Sequence, residues 1–135
     1  MVGNSLNPSL DLSYAALSTE LFHTASLVAD DLPCMDDDAT RRGKDSVHVV
    51  FGEDVALLTT YALMGAGYTS IFNMKEKLAQ HFPDIETRAL LALEMLAKNN
   101  SLSGAPGGQY LDLYTPVLTE ESLEEILYKK TVVFF

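Results

Sequence analysis

Five aspartates within nine residues have the types and spacing that most clearly indicate chemistry in this sequence. Asp30 and Asp31 precede the run Leu-Pro-Cys-Met, and Asp36, Asp37 and Asp38 follow it. Carboxylates held this close repel one another, and a hard divalent cation among the oxygens relieves the repulsion. Magnesium is the natural choice, because it binds one or two carboxylates and keeps positions for water and a substrate phosphate. The segment therefore predicts a Mg²⁺ site.

A basic run follows the aspartates directly, at Arg41, Arg42 and Lys44. Guanidinium groups bind phosphate oxygens two at a time, so acid, metal and arginine together indicate a diphosphate ligand. Charge count alone favours another interpretation, a solvated acidic loop followed by a compensating basic run. An EF-hand calcium loop is excluded, because a frame that begins at Asp36 places Arg41 where the required glycine should lie.

His23 lies seven residues before Asp30, on the same face of a predicted helix, and could hydrogen-bond into the site. A buried histidine with another partner explains its position equally well. We therefore do not count His23 among the predicted metal ligands.

The elements that must position these residues are helices. Before the aspartates, apolar residues recur at spacings of three and four from Leu12 to Ala29. Further helices are predicted over 53–77, over 83–100, over 109–113 behind a turn-rich break at 101–108, and from a Thr119 cap to Lys130. No segment shows the alternation that is typical of strands. The predicted fold class is all-α, a helical bundle.

Composition narrows the class of protein further. The chain has 135 residues, of which 47% are hydrophobic and 21% charged, as expected for one globular domain. A net charge of −10 excludes generic nucleic-acid binding, and the single cysteine, Cys34, excludes a disulfide scaffold. The most apolar stretch, 55–68, is shorter than the roughly 20 residues of a membrane span, so no transmembrane segment is predicted. The N-terminus shows no secretory signal, so a cytoplasmic protein or one of an organelle stroma is expected.

The aspartate segment and its flanks resemble the all-trans isoprenyl diphosphate synthases, of the farnesyl and geranylgeranyl diphosphate synthase type. The resemblance extends from about Leu12 to the end of the chain. The matching residues are 20–27, 30–38, 41–43, 48, 51–53, 56–58, 107–109, 112 and 130–131. It implies a bundle of the isoprenoid synthase type and a prenyltransferase in which Mg²⁺ ions draw the diphosphate from an allylic substrate. Isopentenyl diphosphate then attacks the allylic cation and a proton is lost.

The resemblance also implies roles for individual residues. The catalytic, metal-binding residues would be Asp30, Asp31 and Asp36. The substrate-binding residues would be Arg41, Lys130 and Thr131 for the allylic diphosphate and Arg42 for isopentenyl diphosphate. Asp37 and Asp38 would lie outside the metal ligands or in solvent.

Product length is implied by the position five residues before the first aspartate, which in this family forms part of the floor of the prenyl pocket. Ala25 holds this position and Ser26 follows it. Two small side chains leave room for a product longer than farnesyl diphosphate, so geranylgeranyl diphosphate is expected. The alternative is that Ala25 only packs against a neighbouring helix.

The chain also departs from the family pattern. It contains neither the family's Gly-Lys-Arg motif for isopentenyl diphosphate nor its second aspartate-rich motif. We therefore expect residues 1–135 to be a partial polyprenyl synthase domain that makes little or no product alone. The intact protein is expected to form a homodimer through the apolar region 53–68.

Three alternatives stay open. A non-catalytic helper subunit of a heteromeric prenyl synthase would not need the metal-binding aspartates. An unrelated acidic interaction protein would leave the ordered motif matches to chance. Terpene cyclases share the fold and an aspartate-rich motif, but the Arg41-Arg42-Gly43 flank and the Lys130-Thr131 pair fit chain elongation better.

Overall fold

The computed structural model describes residues 10–130, which form six helices and one small β-hairpin. The elements are α1 (Ser13–Asp30), β1 (Thr40–Arg41), β2 (Lys44–Asp45), α2 (Val47–Phe51), α3 (Glu53–Leu78), α4 (Ile85–Asn99), α5 (Ala105–Tyr114) and α6 (Glu120–Lys130). The all-α prediction is confirmed, and the predicted bounds of α1, α3, α4 and α6 are correct to within two residues. Thr119 caps α6, since its Oγ1 accepts a hydrogen bond of 3.2 Å from the Ser122 amide.

Helices α1 and α3 pack closely because a glycine lies between them. A Cβ atom on Gly67 would lie 2.7 Å from the ring of Phe22, a side chain that is 1% exposed. The Ser18 hydroxyl donates a hydrogen bond of 2.9 Å to the Gly67 carbonyl, and Tyr68 meets the Phe22 ring edge-on with centroids 4.9 Å apart. This contact holds the helix that ends at Asp30 against the centre of the bundle.

Helix α5 is longer than the sequence predicted, and this is a correction. The helix begins at Ala105, and Pro106 lies in its first turn, where proline is tolerated because no donor is lost there. Gly108 lies inside the helix, and a Cβ atom on Gly108 would lie 2.7 Å from the backbone nitrogen of Lys130 in α6. The glycines that predicted a turn instead allow two helix backbones to approach each other.

The β-hairpin and helix α2 were also missed by the sequence analysis. Thr40 pairs with Asp45 and Arg41 with Lys44, and the turn residues Arg42 and Gly43 have φ angles of 53° and 77°. Positive φ at both positions is the geometry of a tight two-residue hairpin turn. Strands of two residues are too short to produce any alternation in the sequence.

Helix α3 corrects the expectation that no segment is long enough to cross a membrane. It has 26 residues, and an 18-residue stretch of it has a mean hydropathy of 1.3. By length and composition alone, α3 is therefore long and apolar enough to cross a membrane. A core helix of a bundle meets the same criterion. Here α3 packs on α1 through Gly67 and on α4 through a cluster that joins Ile71 and Leu78 to Ile85.

Candidate functional site

The loop after α1 folds back so that two aspartates come together. The amide of Asp36 donates a hydrogen bond of 2.8 Å to the carbonyl of Asp30, and the amide of Met35 donates one of 2.8 Å to Leu32. Leu32 is 5% exposed and packs with Val28 of α1, which anchors the loop. Residues six apart in sequence therefore lie side by side at the C-terminal end of α1.

Lys130 of α6 joins these aspartates from the opposite side. Its Nζ lies 3.7 Å from Oδ2 of Asp30 and 3.8 Å from Oδ2 of Asp36. The same ammonium donates a hydrogen bond of 2.6 Å to Oδ2 of Asp112 on α5. Lys130 therefore lies close to three carboxylates that come from three parts of the chain. Of these residues, Asp30, Asp36 and Lys130 were predicted site residues.

Asp31 faces another partner. The Nε of Arg41 donates a hydrogen bond of 2.9 Å to Oδ1 of Asp31, and a second guanidinium nitrogen contacts the same oxygen. The guanidinium also reaches Asp38, at 3.4 Å. The hydrogen bond to buried Asp31 raises the pKa of Arg41 above its ordinary value. Arg41 and Asp31 therefore form a pair of their own beside the Lys130 cluster.

Gln109 completes the polar lining from α5. Its Nε2 donates a hydrogen bond of 3.0 Å to Oδ1 of Asp36, while its Oε1 is buried without a hydrogen-bond partner. A buried amide oxygen without a donor is costly and indicates a missing partner. A water bound to a metal ion on Asp36 is a suitable donor.

The donor set fits magnesium through two carboxylates. Within residues 10–130, no three His, Cys, Asp or Glu side chains gather in a way that could hold a metal ion. Asp30 and Asp36 do come together, and Mg²⁺ commonly takes only one or two carboxylates and keeps its waters. Asp31 is bound to Arg41 and lies outside this pair. The three-aspartate ligand set thus stays a prediction, and the structure brings two of its members together.

Burial governs the charges of this cluster. Burial raises the pKa of Asp30 to about 6, against a smaller lowering by Lys130, and the neighbouring Asp36 raises it further. Burial alone would lower the pKa of Lys130, but its hydrogen bond to Asp112 and the charges of Asp30 and Asp36 raise it above its ordinary value. Burial makes the ionised form of Asp30 costly, and a divalent cation beside this carboxylate would lower that cost.

An apolar cavity of about 380 Å³ adjoins the charged cluster. Its lining includes Phe22, Ala25, Ser26, Met64, Leu113 and Tyr114, together with the charged residues Asp30 and Lys130. Ala25 is 2% exposed, so its small side chain forms part of a closed wall. A charged rim on an apolar cavity suits a ligand with a polar head and a hydrocarbon tail.

One predicted residue lies apart from this cluster. Arg42 is exposed at the hairpin turn. Thr131 lies outside the residues that the structure describes.

Gln109 and Asp112 reach the site although the sequence analysis gave neither a role of its own. They are three residues apart on α5, a spacing that places both side chains on one helical face. The Gly-Gly-Gln-x-x-Asp pattern carried this signal. The predicted helix 109–113 already places both residues on one face, and the packing of this helix on its neighbours decides what that face meets.

A family model for polyprenyl synthetases matches residues 2–135. The chain belongs to this family. It is 40% identical over 124 residues to geranylgeranyl pyrophosphate synthase 7, chloroplastic, of Arabidopsis thaliana, a match that covers 88% of the chain and 34% of the relative. It is also 40% identical over 100 residues to the chloroplastic small subunit of a heterodimeric geranylgeranyl pyrophosphate synthase of that plant, with 73% and 29% covered.

Solved structures of two geranyltransferases superpose on most of this chain. A geranyltransferase from Legionella pneumophila superposes with a TM-score of 0.81 at 33% identity, covering 93% of this chain and 44% of that one. A geranyltransferase from Helicobacter pylori superposes with a TM-score of 0.77 at 32% identity, covering 90% and 40%. The chain spans about a third of the length of the curated relatives that it matches.

Proposed function

We propose that the chain carries the first metal-binding half of a prenyltransferase site, which joins an allylic diphosphate to isopentenyl diphosphate. The observation that supports this best is the apolar cavity beside the carboxylates of Asp30 and Asp36 and the ammonium of Lys130. An allylic diphosphate has the matching chemistry, a charged head and an apolar tail.

Each group has a separate task in this proposal. Asp30 and Asp36 hold Mg²⁺, and Gln109 fixes the orientation of Asp36. The chemistry that Mg²⁺ supplies when bound is neutralisation of charge on the leaving diphosphate. Lys130 binds the diphosphate as a point charge, while the cavity wall excludes water from the allylic cation. No protein nucleophile is required, because orientation and charge stabilisation carry the reaction.

The test is binding of radiolabelled geranyl diphosphate by the purified chain, measured by equilibrium dialysis with and without Mg²⁺. We expect Mg²⁺-dependent binding that Asp36→Asn weakens about tenfold or more, because the metal loses a ligand. Asp37→Asn is the matched control, since it makes the same change at the next, exposed residue. Binding that needs neither Mg²⁺ nor Asp36 would contradict the proposal.

Product length belongs to the same proposal. We propose geranylgeranyl diphosphate rather than farnesyl diphosphate as the product, because the small side chains of Ala25 and Ser26 in the cavity wall leave room inside the cavity for a longer chain. Both side chains line the cavity, which makes them candidates for setting its depth.

The substitution Ala25→Tyr tests this assignment by filling the cavity. We expect affinity for farnesyl diphosphate to fall about tenfold or more relative to affinity for dimethylallyl diphosphate, because only the longer tail needs the filled space. The ratio is the readout, since a misfolded protein would lose both ligands equally. An unchanged ratio would refute the role of Ala25.

A helper subunit is the second candidate function. The match to the small subunit of a heterodimeric geranylgeranyl pyrophosphate synthase supports it. The carboxylate pair of Asp30 and Asp36 supports the catalytic proposal instead, because a helper has no need of it. Co-expression with a complete synthase, followed by analysis of product length, distinguishes the two, since only a helper would change the partner's product while Asp36→Asn leaves that effect intact.

The chain alone is expected to make little product. Among residues 10–130, Asp30 and Asp36 are the pair proposed to hold a metal, whereas the resemblance implies a second aspartate-rich motif that catalysis also needs. Relatives named as chloroplastic and mitochondrial support an organelle stroma over the cytoplasm as the compartment.

A further inference from the structure

Lys130 lies with its ammonium beside the carboxylates of Asp30 and Asp36 and at nearly the same distance from each. Its Nζ lies almost equally far from the two carboxylates, at 3.7 and 3.8 Å. Its side chain is 20% exposed, so water screens these charges only partly. The ammonium therefore offsets part of the negative charge of the pair in the structure.

The backbone of Lys130 is fixed in this place by α5. Gly108 packs so closely on Lys130 that a Cβ atom on Gly108 would lie 2.7 Å from the backbone nitrogen of Lys130. The side chain of Lys130 can move, but its Cα atom cannot leave the site unless α5 and α6 separate. The proximity of Lys130 to the carboxylates is therefore built into the fold.

A metal ion and this ammonium cannot both bind closely to the same two carboxylates, because two cations within a few ångströms repel strongly in a partly buried site. We propose that Lys130 is the resident counter-ion of Asp30 and Asp36, and that a divalent metal must displace its ammonium in order to bind. This inference rests on the proposed function, because it uses the same pair of carboxylates as the metal site.

Asp112 can hold the ammonium of Lys130 after a metal has displaced it from Asp30 and Asp36. Its hydrogen bond to Lys130, at 2.6 Å, is shorter than either contact with the carboxylate pair and comes from a different helix. Lys130 keeps this bond when the metal takes Asp30 and Asp36. The lysine then stays beside the metal and is available to the diphosphate that the metal binds.

The neighbouring lysine provides a matched control for this proposal. Lys129 forms its ion pair with Glu125, one turn earlier on α6, at 2.6 Å. Its side chain is 24% exposed, close to the 20% of Lys130. Lys129→Met and Lys130→Met therefore remove the same charge from adjacent residues, and only Lys130 contacts the carboxylate pair.

The experiment measures Mn²⁺ binding to the 135-residue chain by electron paramagnetic resonance of the free ion, with Mn²⁺ as a spectroscopic substitute for Mg²⁺. We expect Lys130→Met to bind Mn²⁺ about tenfold tighter than the unmodified chain, whereas Lys129→Met changes affinity by about twofold or less. Adding Asp36→Asn to Lys130→Met should abolish the gain in Mn²⁺ affinity, because the double variant lacks one of the two carboxylates for which the metal and the lysine compete.

Two other outcomes have distinct meanings. If Mn²⁺ binding depends on Asp36 but Lys130→Met binds no tighter than Lys129→Met, the counter-ion role is refuted and the proposed metal site survives. If Asp36→Asn changes binding neither in the unmodified chain nor beside Lys130→Met, the proposed metal site and the counter-ion role are both overturned. Circular dichroism of each variant identifies any that fails to fold, and Lys130→Gln then repeats the comparison.

Discussion

Asp30 carries its charge in a largely buried position, and this burial has a consequence for stability. Its pKa is raised to about 6, mainly because water is excluded from the carboxylate. The folded chain therefore holds the Asp30 proton more tightly than the unfolded chain does, and ionisation of Asp30 above pH 6 costs folding free energy.

The pH dependence of unfolding tests this consequence. A raised carboxyl pKa means that the cost is fully present above the folded value and is relieved as the pH falls toward the unfolded value of 3.8. In metal-free buffer we expect Asp30→Asn to be more stable than the unmodified chain at pH 7, with the difference shrinking between pH 6 and pH 4. Urea unfolding across this range measures it.

The matched control for this pH series is Asp37→Asn. Asp37 is exposed, so the same change in charge should give no comparable trend with pH. A stability difference for Asp30→Asn that is constant between pH 4 and pH 7 would contradict the assignment of the cost to this carboxylate.

Single residues were only partly predictable from the sequence. The composition of the acidic segment indicated a cation site, because clustered carboxylates must be neutralised. Which carboxylates share that site was decided by the loop that returns Asp36 to Asp30 and by the hairpin that brings Arg41 to Asp31. Sequence spacing alone could not separate Asp31 from its neighbours, because the partner of each carboxylate is set by backbone folding.

At the scale of the helices, two glycines of α3 looked alike in the sequence and differ in the structure. Gly67 is pressed against the Phe22 ring, whereas a Cβ atom on Gly65 would meet nothing within 4 Å. Gly67 therefore sets the distance between α1 and α3, and Gly65 does not.

Alanine at each position measures this difference. We expect Gly67→Ala to destabilise the chain by about 1–3 kcal/mol, because the added methyl group must displace a fully buried ring. Gly65→Ala, on an exposed part of the same helix, should instead stabilise it by up to about 1 kcal/mol, since alanine is the better helix former. Chemical denaturation provides both values, and equal values would show that the contact with Phe22 has no effect.

Helices α1 and α4 could be placed from the sequence because apolar residues recur at helical spacings, and α3 and α6 because acidic residues lie in the first turn of each and lysines in the last. Helix α5 could not, because its glycines are typical of turns when only neighbours in sequence are considered. The packing of Gly108 against Lys130 is a property of the tertiary structure, which no local pattern contains.

For the molecule as a whole, the exposed apolar residues of α3 lie in the region from which the sequence analysis expects a homodimer to form. Leu58 is 65% exposed and Tyr61 is 61% exposed on this helix. Exposed apolar side chains grouped on one helix are typical of an interface between subunits. Helix α4 has a second such group, with Leu91 55% exposed, so the two faces can be compared directly.

Sizing chromatography with light scattering distinguishes these faces. We expect the unmodified chain to run as a dimer and Leu58→Glu to weaken the dimer about tenfold or more, because a charge would be buried in the contact. Leu91→Glu should leave the dimer intact. A monomeric unmodified chain, or equal effects of the two substitutions, would contradict an interface on α3.

The sequence by itself determined the family, the all-α class and the acidic segment, because these depend on residue type and on spacing along the chain. The tertiary structure alone decided that Lys130, Asp112 and Gln109 meet Asp30 and Asp36 beside an apolar cavity. Lys130 is held beside Asp112 by the packing of α5 on α6, and Asp36 is brought to Asp30 by the return of the loop after α1. Such contacts depend on the shapes of buried surfaces across the whole bundle, and these become defined only when the helices pack together.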